Sequence, residues 1–233
     1  MKIISCGCSF TYGSGPSDKS FMLGKVKNYS EFLQEMTSSE LENLAFPGCS
    51  NYGIIKQVEH AVEKQPDLIL FNTTTSMRYE IIRPDKCVEG EPHYKDFSSI
   101  KNIGGIVTSA HYTIIQSMLS GREHNPDIFN SRWNWGKFSE QHYEEIFNYL
   151  IKYQDVSVKT DQDKLMINGA IAALKHTGIP FVAIDCVGLI QEDCTSIDLP
   201  WQEYVKKYPL EQDEWHWNEQ GHLALANLIK KLI

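Results

Sequence analysis

The sequence predicts an α/β fold built on a central parallel sheet. Short, almost wholly apolar runs at Lys2–Cys6, Leu68–Phe71 and Ile179–Ile184 have the length and composition of strands buried on both faces. Segments with helical periodicity lie between them, and strands that alternate with helices close into a parallel sheet. Gly- and Pro-rich breaks follow the first two strands and separate strand from helix.

In chain order, Lys2–Cys6 is a strand that breaks into Gly7-Cys8-Ser9-Phe10-Thr11-Tyr12-Gly13-Ser14-Gly15-Pro16, whose glycines and proline make it turn and loop. Tyr29–Met36 reads as a helix, and Leu41–Ala45 as a short strand. Phe46-Pro47-Gly48-Cys49-Ser50-Asn51 is a second break. Ile54, Ile55, Val58, Ala61 and Val62 follow at helical spacing, with Ser50 or Asn51 placed as the cap. Pro66-Asp67 stops that helix before the strand at Leu68. A helix from about Asp161 to His176 carries Leu165, Ala170, Ile171 and Leu174, and Gly178 ends it. Asn218 caps a last helix with Leu225, Leu228, Ile229 and Leu232 on one face.

The alternation fails between about 83 and 160. This stretch holds Trp133, Trp135, Tyr143, Phe147, Tyr149 and Tyr153, and reads as a mostly helical insertion in a single domain spanning 1–233. Its aromatic residues either form a small core of their own or line a pocket for an acyl group or sugar.

At 233 residues, with 42% hydrophobic and 22% charged side chains, the composition is that of a globular protein. A net charge of −8 argues against nucleic acid as partner. No run reaches the ~18 apolar residues of a membrane span, and Met1–Gly7 turns polar too soon for a secretory leader. The 6 cysteines, Cys6, Cys8, Cys49, Cys87, Cys186 and Cys194, read as reduced thiols in a cytoplasmic protein, since a chain this long folds without staples. The spacing of Cys6, Cys8 and Cys49 fits no common zinc pattern, so no metal or other cofactor is expected. The oligomeric state is left open.

Ligand sites of open α/β sheets gather at the carboxyl ends of the strands. Ser9 stands on the first break and Gly48 on the second, where a residue without Cβ lets its N–H approach a substrate. Asp213-Glu214-Trp215-His216 precedes the last helix. In one turn, a carboxylate three residues before an imidazole can hold the ring's Nδ1–H and leave Nε2 as base for a serine hydroxyl. Backbone N–H groups of Ser9 and Gly48, with a polar group from the third strand's exit, are available for an oxyanion hole.

Three blocks carry a family resemblance. Gly7-Cys8-Ser9-Phe10-Thr11 resembles the Gly-Asp-Ser-x-(Thr/Ser) block of the SGNH (GDSL-type) hydrolases. Asn43-Leu44-Ala45-Phe46-Pro47-Gly48-Cys49-Ser50-Asn51 resembles their glycine block, and Asp213 to His222 their closing Asp-x-x-His-x-Asn-x-x-Gly-His block. The blocks stand in the family's order and bracket nearly the whole chain. The resemblance implies a flavodoxin-like three-layer α/β/α fold. It further implies an esterase or lipase-type hydrolase with Ser9 as nucleophile, His216 as general base and Asp213 as its orienter, acting on a small-molecule or glycan ester. Two blocks depart from the pattern. Cys8 stands where the family has Asp, and no Gly-x-Asn-Asp follows the third strand, which reads Asn72-Thr73-Thr74-Thr75-Ser76-Met77-Arg78. Asn72 is the asparagine available as third oxyanion donor, with Thr74, Thr75 or Ser76 as alternatives. Arg78 either faces an anionic substrate group or pairs with an acid such as Glu80.

Other readings of the same residues stay open. Cys8 is itself a possible nucleophile. The same triad would serve an acyltransferase, and the altered blocks would also suit a binding protein on a hydrolase scaffold. His222 reads as a packing residue.

Overall fold

A computed structural model describes residues 1–15, 24–45, 49–76, 78–82, 112–116, 155–210 and 213–233. In chain order the elements are β1 (Lys2–Cys6), α1 (Ser9–Tyr12), β2 (Ser14–Gly15), β3 (Gly24–Lys25), α2 (Tyr29–Thr37), β4 (Glu40–Asn43), α3 (Asn51–Glu63), β5 (Leu68–Asn72), β6 (Arg78–Ile82) and β7 (Tyr112–Gln116). They continue with α4 (Val156–Thr177), β8 (Phe181–Asp185), β9 (Ser196–Asp198), α5 (Trp201–Lys207), β10 (Pro209–Leu210), β11 (Asp213–Trp217) and α6 (Glu219–Lys230).

β4, β1, β5, β8 and β9 form a 5-stranded sheet in that order, every neighbouring pair parallel. α2 packs against α6, and α3 against α4, so helices cover both sheet faces in a three-layer α/β/α fold. β5, at the centre, is buried at every position from Leu68 to Asn72. The chain runs from β1 outward to β4 and then returns to place β5 on β1's other side. The order therefore reverses between β1 and β5, and a crevice opens at their carboxyl ends.

Local chemistry starts the helices. The Asn28 side chain accepts from the N–H groups of Ser30 and Glu31, and Glu31 accepts from the Asn28 N–H, which is a full capping box for α2. Of the two candidates for the α3 cap, Ser50 takes the position and accepts from the Gly53 N–H. Asn218 caps α6 through the Gly221 N–H.

Several expectations are corrected. The second strand runs Glu40–Asn43 rather than Leu41–Ala45, because Ala45 N–H turns onto Asn43 Oδ1 and leaves the ladder. The strand expected at Ile179–Ile184 is Phe181–Asp185. α4 starts at Val156, ahead of Asp161, because Asp155 caps it. Its inward stripe is Asp163, Ile167, Ile171 and Leu174, and Leu165 is 77% exposed. In α6 the buried stripe is His222, Leu225, Ala226 and Ile229; Leu228 is exposed one position round the helix, and Leu232, also exposed, lies past its end at Lys230. The first break is not all loop, since Ser9–Tyr12 makes one helical turn. Within the expected insertion, Tyr112–Gln116 is a strand paired antiparallel with β6. Residues 83–111 and 117–154 of the insertion, Cys87, Trp133, Trp135, Tyr143, Phe147, Tyr149 and Tyr153 among them, lie outside the described residues.

Candidate active site

The loop after β1 is built by buried polar groups reaching in from neighbouring elements. Gln57, on the inward face of α3, brackets Gly7 from both sides: its Oε1 accepts from the Gly7 N–H at 2.7 Å, and its Nε2 donates to the Gly7 carbonyl at 3.3 Å. Asn72, the last residue of β5, accepts with Oδ1 from the Cys8 N–H at 3.3 Å and from the Thr11 hydroxyl. Its Nδ2 donates to the Thr73 carbonyl at 2.6 Å and to Cys8 Sγ at 3.5 Å. Thr11 is also joined to the Tyr29 hydroxyl at 2.7 Å. Gly13, at φ 83°, ends α1 in a left-handed turn and returns its N–H to the Ser9 carbonyl. Ser9, at the first position of α1, is buried.

The exit of β5 is held as firmly. Thr73 Oγ1 donates to Asp185 at the end of β8 and accepts from the Cys186 N–H. Asn51 clasps Thr74 through two 2.8 Å bonds, Thr74 N–H to Oδ1 and Nδ2 to the Thr74 carbonyl. The same Nδ2 donates to Asp163, which is buried on α4 and paired with Lys159. The Arg78 guanidinium, buried at the start of β6, donates from Nη1 to the Cys49 carbonyl at 3.0 Å. It thereby joins β5's exit to the glycine block.

The opposite end of the chain comes to the same crevice. The His216 ring, half-buried on β11, lies 5.3 Å from that of Phe10, the residue after Ser9. Phe10 stacks on Trp217 at 4.6 Å with 10° between planes. Asp213–Trp217 is a strand, not the single turn expected for Asp213 and His216, in keeping with its tryptophans. An irregularity in its ladder pairs Leu210 with Asp213 and Pro209 with Trp217. The Asp213 side chain and Gly48 lie outside the described residues. Behind the site, His222 Nδ1 accepts from Trp217 Nε1 at 2.9 Å; burial, reinforced by His216, lowers its pKa to about 3. That keeps His222 neutral and structural.

The thiols differ sharply in their surroundings. Burial pushes the Cys6 and Cys186 thiols well above the ordinary value. Cys8 is equally buried, and burial would raise it. The charge of Arg78, then hydrogen bonds from Asn72 and the Phe10 N–H, outweigh burial and hold its pKa below the ordinary value. Arg78 thus favours negative charge at Cys8, the residue before Ser9.

Among the described residues, Cys6, Cys8, Cys49, Cys186 and Cys194 form no disulfide. No group of three or more His, Cys, Asp or Glu there is placed to hold a metal ion. No helix there is long and apolar enough to cross a membrane.

No family model matches the sequence, and no curated protein matches it. Solved structures give likenesses over nearly the full length. A lipase/acylhydrolase from Enterococcus faecalis is 12% identical, with a TM-score of 0.48 over 100% of this chain and 94% of that one. A psychrotrophic esterase from Pseudoalteromonas sp. is 7% identical, with a TM-score of 0.47 over 99% and 94%. An acetylxylan esterase from Geobacillus stearothermophilus is 11% identical, with a TM-score of 0.47 over 99% and 92%. The fold stands on this chain's own strand order and the chemistry on its own residues.

Three residues that shape the site were not singled out for that part by the sequence. Gln57 sits on the apolar stripe of α3 among Ile54, Val58 and Ala61, and a polar residue on a buried stripe is the signal that could have found it. Asn51 reads from the sequence only as a cap and as the end of the glycine block, and Tyr29 only as part of a helix.

Proposed function

We propose that this chain is a serine ester hydrolase working through an acyl-enzyme on Ser9. In this reading Ser9 Oγ attacks the ester carbonyl while His216, oriented by Asp213, takes the hydroxyl proton. The backbone N–H groups of Ser9 and Gly48 hold the oxyanion. The proton then passes from His216 to the leaving alkoxide. Water, deprotonated by the same imidazole, attacks the acyl-enzyme and releases the acid. Asn72 serves here as the brace beneath the loop, since its Nδ2 already donates to Thr73 and Cys8.

The observation that supports this reading is the His216 ring, brought from the carboxyl end of the chain to 5.3 Å from the ring of Phe10, the residue after Ser9. The thiols, which form no disulfide among the described residues, suit the cytoplasm. A small acyl group on a carbohydrate is the substrate that the sequence resemblance favours.

The test is hydrolysis of p-nitrophenyl esters, acetate to octanoate, by wild type and Ser9→Ala. Loss of about a thousandfold or more in Ser9→Ala is expected. Undiminished activity would move the nucleophile to Cys8. Inactivity of both proteins would favour acyl transfer or ligand binding, which product analysis with added alcohol acceptors separates.

A further inference from the structure

Among the described residues, the exit of β5 leaves three buried polar atoms without a hydrogen-bond partner: Thr74 Oγ1, Ser76 Oγ and Arg78 Nε. Thr74 is 1% exposed, Arg78 6% and Ser76 7%. Burying a guanidinium is costly unless an anion faces it. Among the described residues no carboxylate pairs with Arg78, and its Nη1 is anchored on the uncharged Cys49 carbonyl. The Nε–H is therefore left without an acceptor, and a guanidinium in that state suits an oxyacid. Two hydroxyls that can each donate one further bond stand two and four residues before Arg78 on the same exit. The neighbouring Cys8 thiol gauges the local potential, because Arg78 favours its charged form.

We propose that Arg78, Thr74 and Ser76 form an anion subsite beside Ser9, and that the substrate is an ester carrying a carboxylate close to its scissile bond. The ester in this proposal rests on the serine hydrolase reading above, whereas the anion rests on the open donors alone. In the bound complex the carboxylate takes the Nε–H of Arg78 and the two hydroxyl protons, so that the buried charge is neutralised by the substrate itself. Neutral esters leave these donors unmatched and bind more weakly.

The test compares two matched ester pairs. One is 4-acetoxybenzoate against its methyl ester, with the charge on the alcohol side. The other is mono-p-nitrophenyl glutarate against p-nitrophenyl pentanoate, with the charge on the acyl side. Wild type is expected to favour the charged member of at least one pair by about ten- to a hundredfold in kcat/KM, chiefly through KM. The ratio should shrink in Arg78→Lys and fall close to one in Arg78→Met. A wild-type ratio near one in both pairs overturns the proposal. So does a preference that survives in Arg78→Met, or a Arg78→Met loss that strikes charged and neutral esters equally, which would place Arg78 on the oxyanion.

A second measurement needs no turnover. The ultraviolet absorbance step of the Cys8 thiolate, identified by its loss in Cys8→Ser, should move to higher pH when propionate replaces chloride at constant ionic strength. An anion bound beside the sulfur disfavours its thiolate. A step that stays in place counts against the subsite. Turnover without charge preference or thiolate shift keeps the hydrolase and removes the subsite, whereas a thiolate shift without turnover does the reverse.

Discussion

Asn72 Oδ1 lies so close over Gly7 that a Cβ on Gly7 would stand 1.9 Å from it. The same Cβ would stand 2.3 Å from Thr11 Oγ1. The end of the central strand and the turn that carries Ser9 are thus packed to the limit of what a bare Cα allows. Gly7→Ala should therefore displace the Asn72 carboxamide from the Cys8 N–H and destabilise the protein by about 1–3 kcal/mol or more. Urea unfolding with a parallel esterase assay checks this. An unshifted midpoint would show that the loop yields easily and that Asn72 does not hold it.

Asn51→Ala should release Thr74 from its paired bonds and leave the buried Asp163 carboxylate with fewer donors. A loss of about 2–4 kcal/mol is expected, from unsatisfied buried groups rather than lost area. Ester turnover should drop further than stability at assay temperature explains. The comparison is rate per folded molecule, and a rate equal to wild type would detach Thr74 from the site.

Asp185 accepts from the Thr73 hydroxyl and from the N–H groups of Val187, Gly188, Leu189 and Ile190. Asp185→Ala orphans all of these at the carboxyl end of β8 and should cost more than about 3 kcal/mol. Asp185→Asn, which keeps an acceptor oxygen, should recover part of that. Equal midpoints for the two variants in chemical denaturation would refute the acceptor role.

His222 predicts an acid limb of stability. Its folded pKa of about 3 lies below the unfolded value of about 6.5. The unfolded chain therefore takes up a proton that the folded protein refuses until near pH 3. The contribution is complete above about pH 6.5 and declines as pH falls toward 3, at up to about 1.4 kcal/mol per pH unit. Urea midpoints from pH 7 to 4 should fall in wild type and flatten in His222→Gln. Parallel slopes in the two proteins would assign acid lability to other groups.

Regular elements were legible wherever periodicity and punctuation agreed. Lys2–Cys6 has the bounds the sequence indicates, and the strand after Pro66-Asp67 was found to within one residue of its end. Which apolar residues face inward was harder. Leu165 and Leu228 belong to helices but not to the core, because a stripe is chosen by what packs against it, and Leu232 lies past the end of α6. The turn at Ser9 read as loop because a single helical turn has no period to detect.

Ser9, His216, Asn72, Thr74 and Arg78 were all visible as chemistry-bearing residues at strand ends, since the Gly and Pro punctuation marks those ends in one dimension. Their partners were not visible. That Asn72 would brace Cys8 and Thr11, that Gln57 would bracket Gly7, and that Asn51 would clasp Thr74 are contacts between residues far apart in the chain. The sequence by itself determined the alternation of strand and helix, and with it a parallel sheet whose carboxyl edge collects the breaks. Tertiary structure alone decided the strand order that opens the crevice between β1 and β5, the seat of His216 on Phe10, and the burial of Arg78 with its Nε unpartnered among the described residues. The physical reason is that hydrophobic period is a local property of the chain. Hydrogen-bond satisfaction and desolvation depend on which distant groups meet, and they exist only once the layers have packed.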